Sequence, residues 1–308
     1  MRVLLTGATG LIGSAVYKSL ITNHDVIRLG RSAGNYDFYF DILRPCNKAF
    51  PACDAVVHCA GVVDEDFRDS AMERFASLTN GADILAKATT NAGAKRAVYI
   101  SSSHVYGRQE GTIAETSNVN PLSYYAIAHY CAEQLFKKNF SGKELSALIL
   151  RPNAVYGPLA DLSGFKRWAL IPFSFPLEAW ASNKITLKSL GTQQRNFVCS
   201  TTIGLVIANW LSSPTTRSNE ICHPLGRNTE SVFSFAQRCN RVAAQITGLD
   251  YQVDRPAEGP QSATPFEYAS TTPTMEDKDA LDNHIKGLIG WFYANPAWAR
   301  KQAHALLA

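Results

Sequence analysis

Short apolar runs alternate with longer amphipathic segments through the first half of the chain. The apolar runs cover residues 2–6, 25–29, 54–59, 96–101 and 145–150. Each run is almost continuously apolar, which is typical of strands that are covered on both faces of a parallel sheet. Helical segments between such runs complete βαβ units. The pattern therefore predicts an α/β fold built on a doubly wound parallel sheet.

The pattern changes after Pro158. Residues 165–176 are rich in Phe, Trp, Pro and Ser, and a short strand pattern follows at residues 184–187. A helical pattern covers residues 203–210, and residues 258–273, where Pro, Gly, Ser and Thr dominate, are predicted to form a loop.

These changes predict a regular first domain and a less regular second lobe. We predict a first domain over residues 1–158, to which the chain returns near residues 190–210, and a smaller C-terminal lobe over residues 159–308. Near the end of the chain, Trp291, Phe292 and Trp298 follow a helical pattern. We expect these aromatic residues to pack in a core rather than to bind a ligand.

Composition and charge exclude several classes of partner. The 308 residues carry a net charge of +4 with no basic cluster, so we do not expect a nucleic acid partner. No apolar stretch reaches the roughly 18 residues that a membrane helix needs. The first residues follow a strand and glycine pattern instead of a signal peptide. We therefore expect a cytoplasmic protein with no membrane partner.

The cysteines do not form a recognisable ligand or disulfide pattern. The chain has seven, with no Cys-x-x-Cys pair, at Cys46, Cys53, Cys59, Cys131, Cys199, Cys222 and Cys239. An odd number of scattered cysteines argues against a disulfide framework and against a zinc site. We expect most of them to be small core residues, and we expect no metal.

A glycine-rich turn, residues 7–13 (GATGLIG), follows the first strand pattern and precedes a helical one. A glycine motif between a strand and a helix is typical of a dinucleotide-binding site. Gly7 permits a tight turn, Gly10 lets the backbone approach a phosphate, and Gly13 lets the helix pack on the strand. The first helical residues, Leu11 and Ile12, then present free N–H groups and a positive dipole end. The turn predicts a site for a dinucleotide pyrophosphate.

The end of the second strand pattern bears on the choice of cofactor. An acidic residue there favours NAD, and an arginine favours the 2′-phosphate of NADP. The chain has Arg31 followed by Ser32 and no carboxylate at that position, so we predict NADP in preference to NAD. The alternative is a solvated loop arginine. Asp41 and Ile42, after the next short strand pattern, are candidates for contact with the adenine.

Further motifs extend over residues 1–240 and identify a family. They are residues 57–61 (VHCAG), 101–107 (SSSHVYG), 151–158 (RPNAVYGP) and 191–197 (GTQQRNF). With the glycine turn, they resemble the extended short-chain dehydrogenase/reductase family, in its nucleotide-sugar epimerase, dehydratase and reductase branch. The resemblance implies a Rossmann domain and a smaller lobe that holds a nucleotide-diphosphate sugar. It also implies cofactor contacts at Ala60, Gly61 and Pro152.

In this family a hydride passes between the sugar and the nicotinamide while a tyrosine phenol moves the matching proton. The tyrosine normally lies four residues before a lysine, and both groups also contact the cofactor. Alignment on Pro121 and Glu133 places Tyr125 at the tyrosine and His129 at the lysine. No tyrosine in the chain lies four residues before a lysine.

The histidine changes the expected chemistry. A free phenol has a pKa near 10, and a lysine charge one helical turn away lowers that pKa towards neutrality. His129 keeps the spacing and can donate to a ribose hydroxyl, but an imidazole of pKa about 6.5 is mostly neutral at pH 7 unless an anion raises its pKa. Two hypotheses remain: an active enzyme in which His129 replaces the lysine, and a weakened relative that still binds cofactor.

Other site residues are carried over from the resemblance. Ser102 aligns with the catalytic serine or threonine, and Ser103 and His104 in the same turn are expected to contact substrate. Arg195 matches the arginine that binds the sugar nucleotide's diphosphate, a task suited to a guanidinium. Asn153, expected at the substrate, lies one place earlier than the family's asparagine.

The chain also departs from the family at two further positions. Leu78 replaces an asparagine, with Asn80 nearby, and residues 103–104 lack the acidic pair of the dehydratases. An NAD(P)-dependent 4-epimerase or ketoreductase is therefore favoured over a dehydratase. A cofactor-sensing binding protein is the alternative, and a carbonyl reductase on another metabolite is a third reading. The resemblance suggests a homodimer through residues 80–91 and 124–138.

Overall fold

The computed structural model describes residues 1–32, 34–44, 49–61, 63–159, 162–214, 219–259, 265–276 and 280–307, apart from the side chains of Glu65, Arg68, Asp69 and Leu307. Cys46, one of the predicted core cysteines, lies outside these ranges.

The strands, in chain order, are β1 (Arg2–Thr6), β2 (Asp25–Gly30), β3 (Phe38–Tyr39), β4 (Ala55–His58), β5 (Arg96–Ile100), β6 (Gly111–Ile113), β7 (Ser146–Leu150), β8 (Ala154–Tyr156), β9 (Lys184–Thr186), β10 (Gln194–Cys199), β11 (Glu220–Cys222), β12 (Asn228–Ser231), β13 (Gln252–Asp254) and β14 (Phe266–Tyr268). The α-helices are α1 (Leu11–Leu20), α2 (Phe67–Asn91), α3 (Tyr124–Asn139), α4 (Ile171–Ser182), α5 (Ser200–Ser212), α6 (Val232–Thr247), α7 (Ala280–Ala294) and α8 (Pro296–Leu307). Two short 3-10 helices cover Asp64–Asp66 and Ser103–Tyr106.

The large sheet has the predicted doubly wound form. Among the described residues it contains seven parallel strands in the order β11-β7-β5-β4-β1-β2-β3. The chain moves outward from β1 to β2 on one side and then crosses to β4 on the other. A crevice forms at such a reversal, outside the carboxyl ends of the strands, and open α/β sheets bind ligands there.

Both faces of the sheet are covered, which explains the continuous apolar runs. One core layer lies against α2 and α3 and includes Leu85 and Phe136. The other lies against α1 and α5 and includes Val16 and Ile207. The chain therefore returns to the first sheet through α5 and β11, after residues that belong to the second lobe.

The second lobe is built from smaller sheets and four helices. Strands β8, β10 and β12 form one sheet, and its core with α4, α6 and α7 contains Phe197 and Phe235. Trp298 and Trp291 pack beside Trp168 and Phe292 in a further core, as the helical pattern predicted. The division of the chain at residue 158 stays a prediction.

One segment differs from the sequence prediction. Part of the stretch that was expected to be loop forms β14, which pairs in parallel with β6. The reason is tertiary: Phe266 and Tyr268 are buried in a small core with Val105 and Tyr106, although their flanking residues are turn formers. No helix among the described residues is long and apolar enough to cross a membrane.

Candidate active site

The glycine turn lies where β1 ends at the reversal of the sheet. Gly7 has a φ of 69°, a left-handed conformation that favours glycine. A Cβ on Gly7 would lie 2.7 Å from the backbone N of Ala60, and a Cβ on Gly13 would lie 2.0 Å from the carbonyl oxygen of Gly7. These two glycines are therefore required by close backbone packing between β1, β4 and α1.

Gly10 has a different role in the same turn. It caps α1 with no side-chain hydrogen bond to the helix, and its Cβ position has only the Gly7 carbonyl oxygen in contact, at 3.4 Å. The N–H groups of Leu11 and Ile12 consequently meet no capping side chain at the helix N-terminus. A phosphate fits this position because it supplies the acceptors and the negative charge.

The residues after β4 form the neighbouring wall. Thr6 Oγ1 accepts hydrogen bonds from the backbone N of Cys59 (3.2 Å) and of Ala60 (3.1 Å), and it lies 2.6 Å from His58 Nδ1. A Cβ on Gly61 would meet no atom within 4 Å. The end of β4 is thus held firmly to β1, while Ala60 and Gly61 border open space beside the glycine turn.

Arg31 and Asp41 are brought together at the end of β2. Arg31 Nη1 lies 3.6 Å from an Asp41 carboxylate oxygen, and the Arg31 side chain is largely exposed. Asp41 also accepts a hydrogen bond from the Leu43 backbone N at 3.0 Å. The linear sequence shows no carboxylate at the end of β2, but the fold supplies one from a neighbouring loop.

Ile42 is mainly a packing residue. It is buried, and a Cβ on Gly81 of α2 would lie 2.2 Å from the Ile42 carbonyl oxygen. The glycine in α2 is therefore required because the loop that carries Asp41 and Ile42 crosses the helix there.

Tyr125 and His129 lie on one face of α3. Ser123 begins the helix by accepting a hydrogen bond from the Ala126 backbone N at 3.2 Å, which places Tyr125 in the first turn. The rings of Tyr125 and His129 meet edge to face, with centroids 4.5 Å apart. Phe67 and His104 also pack edge-on against Tyr125, with centroid distances of 6.5 and 5.8 Å.

His129 is buried in surroundings that disfavour its charged form. Its side chain is buried, and its Nδ1 lies 2.7 Å from the hydroxyl of Tyr99 in β5. Burial first, and then electrostatic interaction with His104, His58 and Arg167, lower the pKa of His129 to about 3. At neutral pH the imidazole is therefore uncharged, so it does not supply the positive charge of a lysine.

The turn after β5 contains the serine residues. Ser102 is buried, and its hydroxyl accepts a hydrogen bond from the His104 backbone N at 3.3 Å, which caps the Ser103–Tyr106 helix. The Pro152 carbonyl accepts a hydrogen bond from the Ser103 backbone N. These contacts fix the serine turn against the end of β7, on the same edge of the sheet as the glycine turn.

Asn153 connects this turn to the second lobe. Its amide donates to Ser103 Oγ at 3.0 Å and to Gln109 Oε1 at 2.7 Å, and its carbonyl oxygen accepts from the Asn196 backbone N at 3.1 Å. Both amide protons are thereby engaged within the protein. The structure places Asn153 as a clamp between the lobes, and its contact with substrate stays a prediction.

Arg195 and Arg167 lie near His104, which packs against Tyr125. Loss of hydration first, and then the charges of Arg195 and Arg167, lower the pKa of His104, while Asp64 raises it. Burial also lowers the pKa of Arg195, whose Nη1 donates to the Gln194 carbonyl at 2.7 Å. Guanidinium groups in a partly buried position are suited to a diphosphate.

Among the described residues, no polar side chain takes the place of Leu78. Its side chain is buried in a small cluster with Phe67 and Ala128, against which Tyr125 packs. Asn80 is exposed on another face of α2. Near Tyr125, the position of the family's asparagine is therefore apolar.

A buried ion pair between Glu133 and Arg151 holds α3 in place beside β7. Glu133, one turn beyond His129, accepts from Arg151 Nε at 2.9 Å and Nη2 at 2.6 Å, and from Ser101 Oγ at 2.5 Å. Arg151 also donates to the Tyr106 hydroxyl at 2.8 Å. These bonds tie α3 to β7 and to the serine turn, and so fix the relative positions of Tyr125, His129 and Ser102.

Sequence reasoning missed three residues of the site. Tyr99 hydrogen-bonds His129, Phe67 packs on Tyr125, and Arg167 adds charge beside His104. Only Tyr99 gave a signal, since it is a polar aromatic residue inside an apolar strand. Phe67 and Arg167 lie in segments whose register against the sheet depends on the tertiary fold.

Comparison with known proteins is consistent with this geometry. Residues 3–202 match the sequence profile of the NAD dependent epimerase/dehydratase family. The methionine adenosyltransferase 2 subunit beta of Xenopus tropicalis is 34% identical over 53% of this chain and 49% of its own length. The UDP-glucose 4-epimerase of Vibrio cholerae is 30% identical over 61% of this chain and 62% of its own length. The chain thus spans about half to three-fifths of the length of the curated relatives it matches.

Solved structures share the fold. A UDP-N-acetylglucosamine 4-epimerase from Methanobrevibacter ruminantium M1, in complex with UDP-N-acetylmuramic acid, superposes with a TM-score of 0.75 at 20% identity, covering 96% of this chain and 98% of that one. A UDP-glucuronic acid 4-epimerase from Bacillus cereus, in complex with UDP-glucuronic acid and NAD, gives 0.73 at 19% identity, covering 96% and 100%.

Proposed function

The chain belongs to the NAD dependent epimerase/dehydratase family, and we propose that it binds NAD(P) and a nucleotide-diphosphate sugar and exchanges a hydride between them. The reaction is a 4-epimerisation or the reduction of a keto sugar. Tyr125 is the proposed proton donor and acceptor. The observation that carries this proposal is the placement of Tyr125, His129 and the Ser102 turn at the edge of the sheet that holds the glycine turn.

Each proposed catalytic residue has a separate role in the reaction. The nicotinamide, when bound, supplies the site that takes or gives the hydride. Tyr125 moves the hydroxyl proton of the sugar, and Ser102 hydrogen-bonds the reacting oxygen. His129 is uncharged, so it donates a hydrogen bond to a ribose hydroxyl without stabilising a phenolate by charge. We therefore expect the proposed enzyme to turn over faster at alkaline than at neutral pH, because His129 adds no positive charge that favours the phenolate.

We propose that two arginines determine which substrate and which cofactor bind. Arg195, with Arg167 and His104 beside it, binds the diphosphate of the sugar nucleotide. Arg31 binds the 2′-phosphate of NADP, in preference to NAD, after it leaves Asp41. The structural neighbour from Bacillus cereus is in complex with NAD. In this chain, the proposed preference for NADP is based on Arg31 alone.

Turnover and binding are tested together. Purified protein is incubated with UDP-sugars and with 4-keto sugar nucleotides plus NADPH or NADH, from pH 6 to pH 10, alongside Tyr125→Phe. We expect turnover that rises with pH and falls about 100-fold or more in the variant, with dinucleotide affinity retained. Turnover that survives Tyr125→Phe would contradict the assigned proton donor.

A second candidate function is a cofactor-binding subunit that acts without turnover. The neutral state of His129 and the apolar side chain of Leu78 favour it, and one relative is named as the beta subunit of a methionine adenosyltransferase. Dinucleotide binding with no turnover at any pH would select this function over the enzyme.

We also propose a cytoplasmic homodimer through α2 and α3. Large apolar side chains on or beside these helices are exposed in the single chain, among them Met72, Tyr124 and Ile127. Size-exclusion chromatography of the protein and of Ile127→Glu tests this assembly. A dimer that is unaffected by Ile127→Glu argues against this interface.

A further inference from the structure

We infer that Tyr99 is a positioning residue, whose hydroxyl holds His129 as a neutral imidazole with its single proton on Nε2. The functional consequence rests on the proposed function, whereas the protonation state of His129 does not. The inference starts from the hydroxyl of Tyr99, which lies 2.7 Å from His129 Nδ1.

The buried position of Tyr99 limits the hydrogen-bond partners of its hydroxyl. It is 3% exposed, and its ring is stacked on Phe136 with centroids 5.2 Å apart. His129 Nδ1 is its one hydrogen-bond partner among the described residues. If Nδ1 carried a proton, the Tyr99 hydroxyl proton would be left without an acceptor in the core. Because a buried orphan donor is costly, Tyr99 donates and Nδ1 accepts.

The same condition excludes the charged form of His129. An imidazolium has protons on both nitrogens, so it would also deprive Tyr99 of its acceptor. The charges around His129 act in the same direction: His104, His58 and Arg167 are cationic or can become so. The carboxylate of Glu133, one turn along α3, is already paired with Arg151 and Ser101. Tyr125, the other titratable group in contact with the ring, meets it by an edge.

Tyr99 itself does not relay a proton. Burial, and then the negative charge of Glu133, raise the pKa of Tyr99, so the phenol stays protonated. Its ring is enclosed by Phe136, His58 and His129. The pairing therefore fixes the orientation and tautomer of His129 and leaves Nε2–H as the donor available to a ribose hydroxyl.

Two other buried histidines in the chain accept a hydroxyl proton in the same way. His223 Nδ1 lies 2.7 Å from the Ala269 carbonyl, so it must donate there, and its Nε2 accepts from Tyr106 at 2.7 Å. Thr6 Oγ1 accepts from two backbone N–H groups and so donates its proton to His58 Nδ1. Each of these hydroxyls selects one tautomer of its histidine.

The experiment reads the tautomer directly, without turnover. Long-range ¹H–¹⁵N spectra of the full chain, without cofactor, are recorded from pH 5.5 to 8.5, and the His129 signals are assigned by their loss in His129→Gln. We expect an unprotonated Nδ1, a protonated Nε2 and no titration. A protonated Nδ1, or a His129 midpoint near 6.5, would overturn the inference whether or not the protein is an enzyme.

Variants then assign the effect to the Tyr99 hydroxyl. Tyr99→Phe keeps the stacked ring, and we expect the Nδ1 signal of His129 to move towards the protonated value. Tyr106→Phe is the control, because it removes the hydroxyl of the His223 pair, together with one acceptor of Arg151. We expect it to change the His223 signals and to leave Nδ1 of His129 unprotonated. Equal His129 spectra in Tyr99→Phe and the parent protein would refute the role of Tyr99.

A binding measurement connects the tautomer to the cofactor. We expect Tyr99→Phe to weaken dinucleotide binding roughly two- to fivefold, the loss from an imperfectly presented hydrogen bond, with sugar nucleotide binding unchanged. If the tautomer shifts and dinucleotide binding does not change, the contact between His129 and the cofactor is wrong, while the pairing with Tyr99 stands.

Discussion

The ring of Tyr125 meets the ring of His129 edge to face on one side of α3, with centroids 4.5 Å apart. The two residues are four apart in sequence, as are the tyrosine and lysine of the family. The geometry is kept while the charge is lost, because burial holds His129 neutral. The catalytic strength of the site therefore depends on how the Tyr125 proton moves when His129 carries no positive charge.

The first prediction concerns that charge. In His129→Lys an ammonium one turn from Tyr125 favours the phenolate, so we expect the rate at pH 7 to rise about tenfold or more. The alkaline limb of the rate profile moves to lower pH. His129→Gln, a neutral donor, is the control and should keep the alkaline optimum. Identical profiles for the lysine and glutamine variants would show that charge at this position does not limit turnover.

The second prediction separates two glycines of the turn. Gly13→Ala places a Cβ 2.0 Å from a backbone oxygen, so we expect a lower melting temperature and weak cofactor binding. Gly10→Ala has room in the free protein, and its cost falls on the approach of the phosphate. Melting curves with and without dinucleotide distinguish them. Stabilisation of Gly10→Ala by dinucleotide to the same extent as the parent protein would contradict the phosphate role of Gly10.

The third prediction concerns the ion pair at the end of β2. We expect Asp41→Asn to tighten NADP binding, because Arg31 is released from its partner, and Arg31→Ala to weaken NADP more than NAD. Arg31 is exposed, so its pairing with Asp41 adds little to stability. Calorimetric titrations of both dinucleotides provide the measurement. If the parent protein prefers NAD and Arg31→Ala has the same affinities for both dinucleotides, Arg31 does not bind the cofactor.

The fourth prediction concerns the support beneath the site. Glu133→Gln leaves Arg151 with an uncompensated buried charge, and we expect a loss of about 3–5 kcal/mol in the free energy of unfolding. Replacing both residues with Met removes the charge as well as its partner and should recover much of that loss. Urea unfolding of the three proteins gives the comparison. A double variant as unstable as Glu133→Gln would indicate that the hydrogen bonds matter more than the charge.

The fifth prediction is a loss of stability in acid. His58 and His129 are buried, and burial lowers the pKa of each from 6.5 to about 3. Between these values the unfolded chain binds more protons than the folded one, so stability falls as the pH decreases from 6.5 towards 3. Each histidine contributes about 1 kcal/mol per pH unit within that window. Urea unfolding at pH 7.5 and 5.5 tests this, with a smaller difference expected in His129→Gln.

The sequence alone determined the parts of this protein that depend on neighbouring residues. Continuous apolar runs separated by helical patterns are typical of a parallel sheet covered on both faces, and the spacing of Gly7, Gly10 and Gly13 follows from one tight turn between a strand and a helix. The spacing of Tyr125 and His129 is likewise a property of a single helix. The family and the Rossmann architecture were therefore predictable.

Contacts between distant residues were decided only by the tertiary structure. The fold brings Asp41 to Arg31 across a loop, seats Ile42 against Gly81, and pairs Tyr99 with His129, which is 30 residues away. None of these pairs has a spacing or a periodicity that a linear pattern can reveal. The sequence could state that a histidine replaces the family's lysine, whereas its neutral charge and its tautomer follow from burial and from the hydroxyl that packing places beside Nδ1.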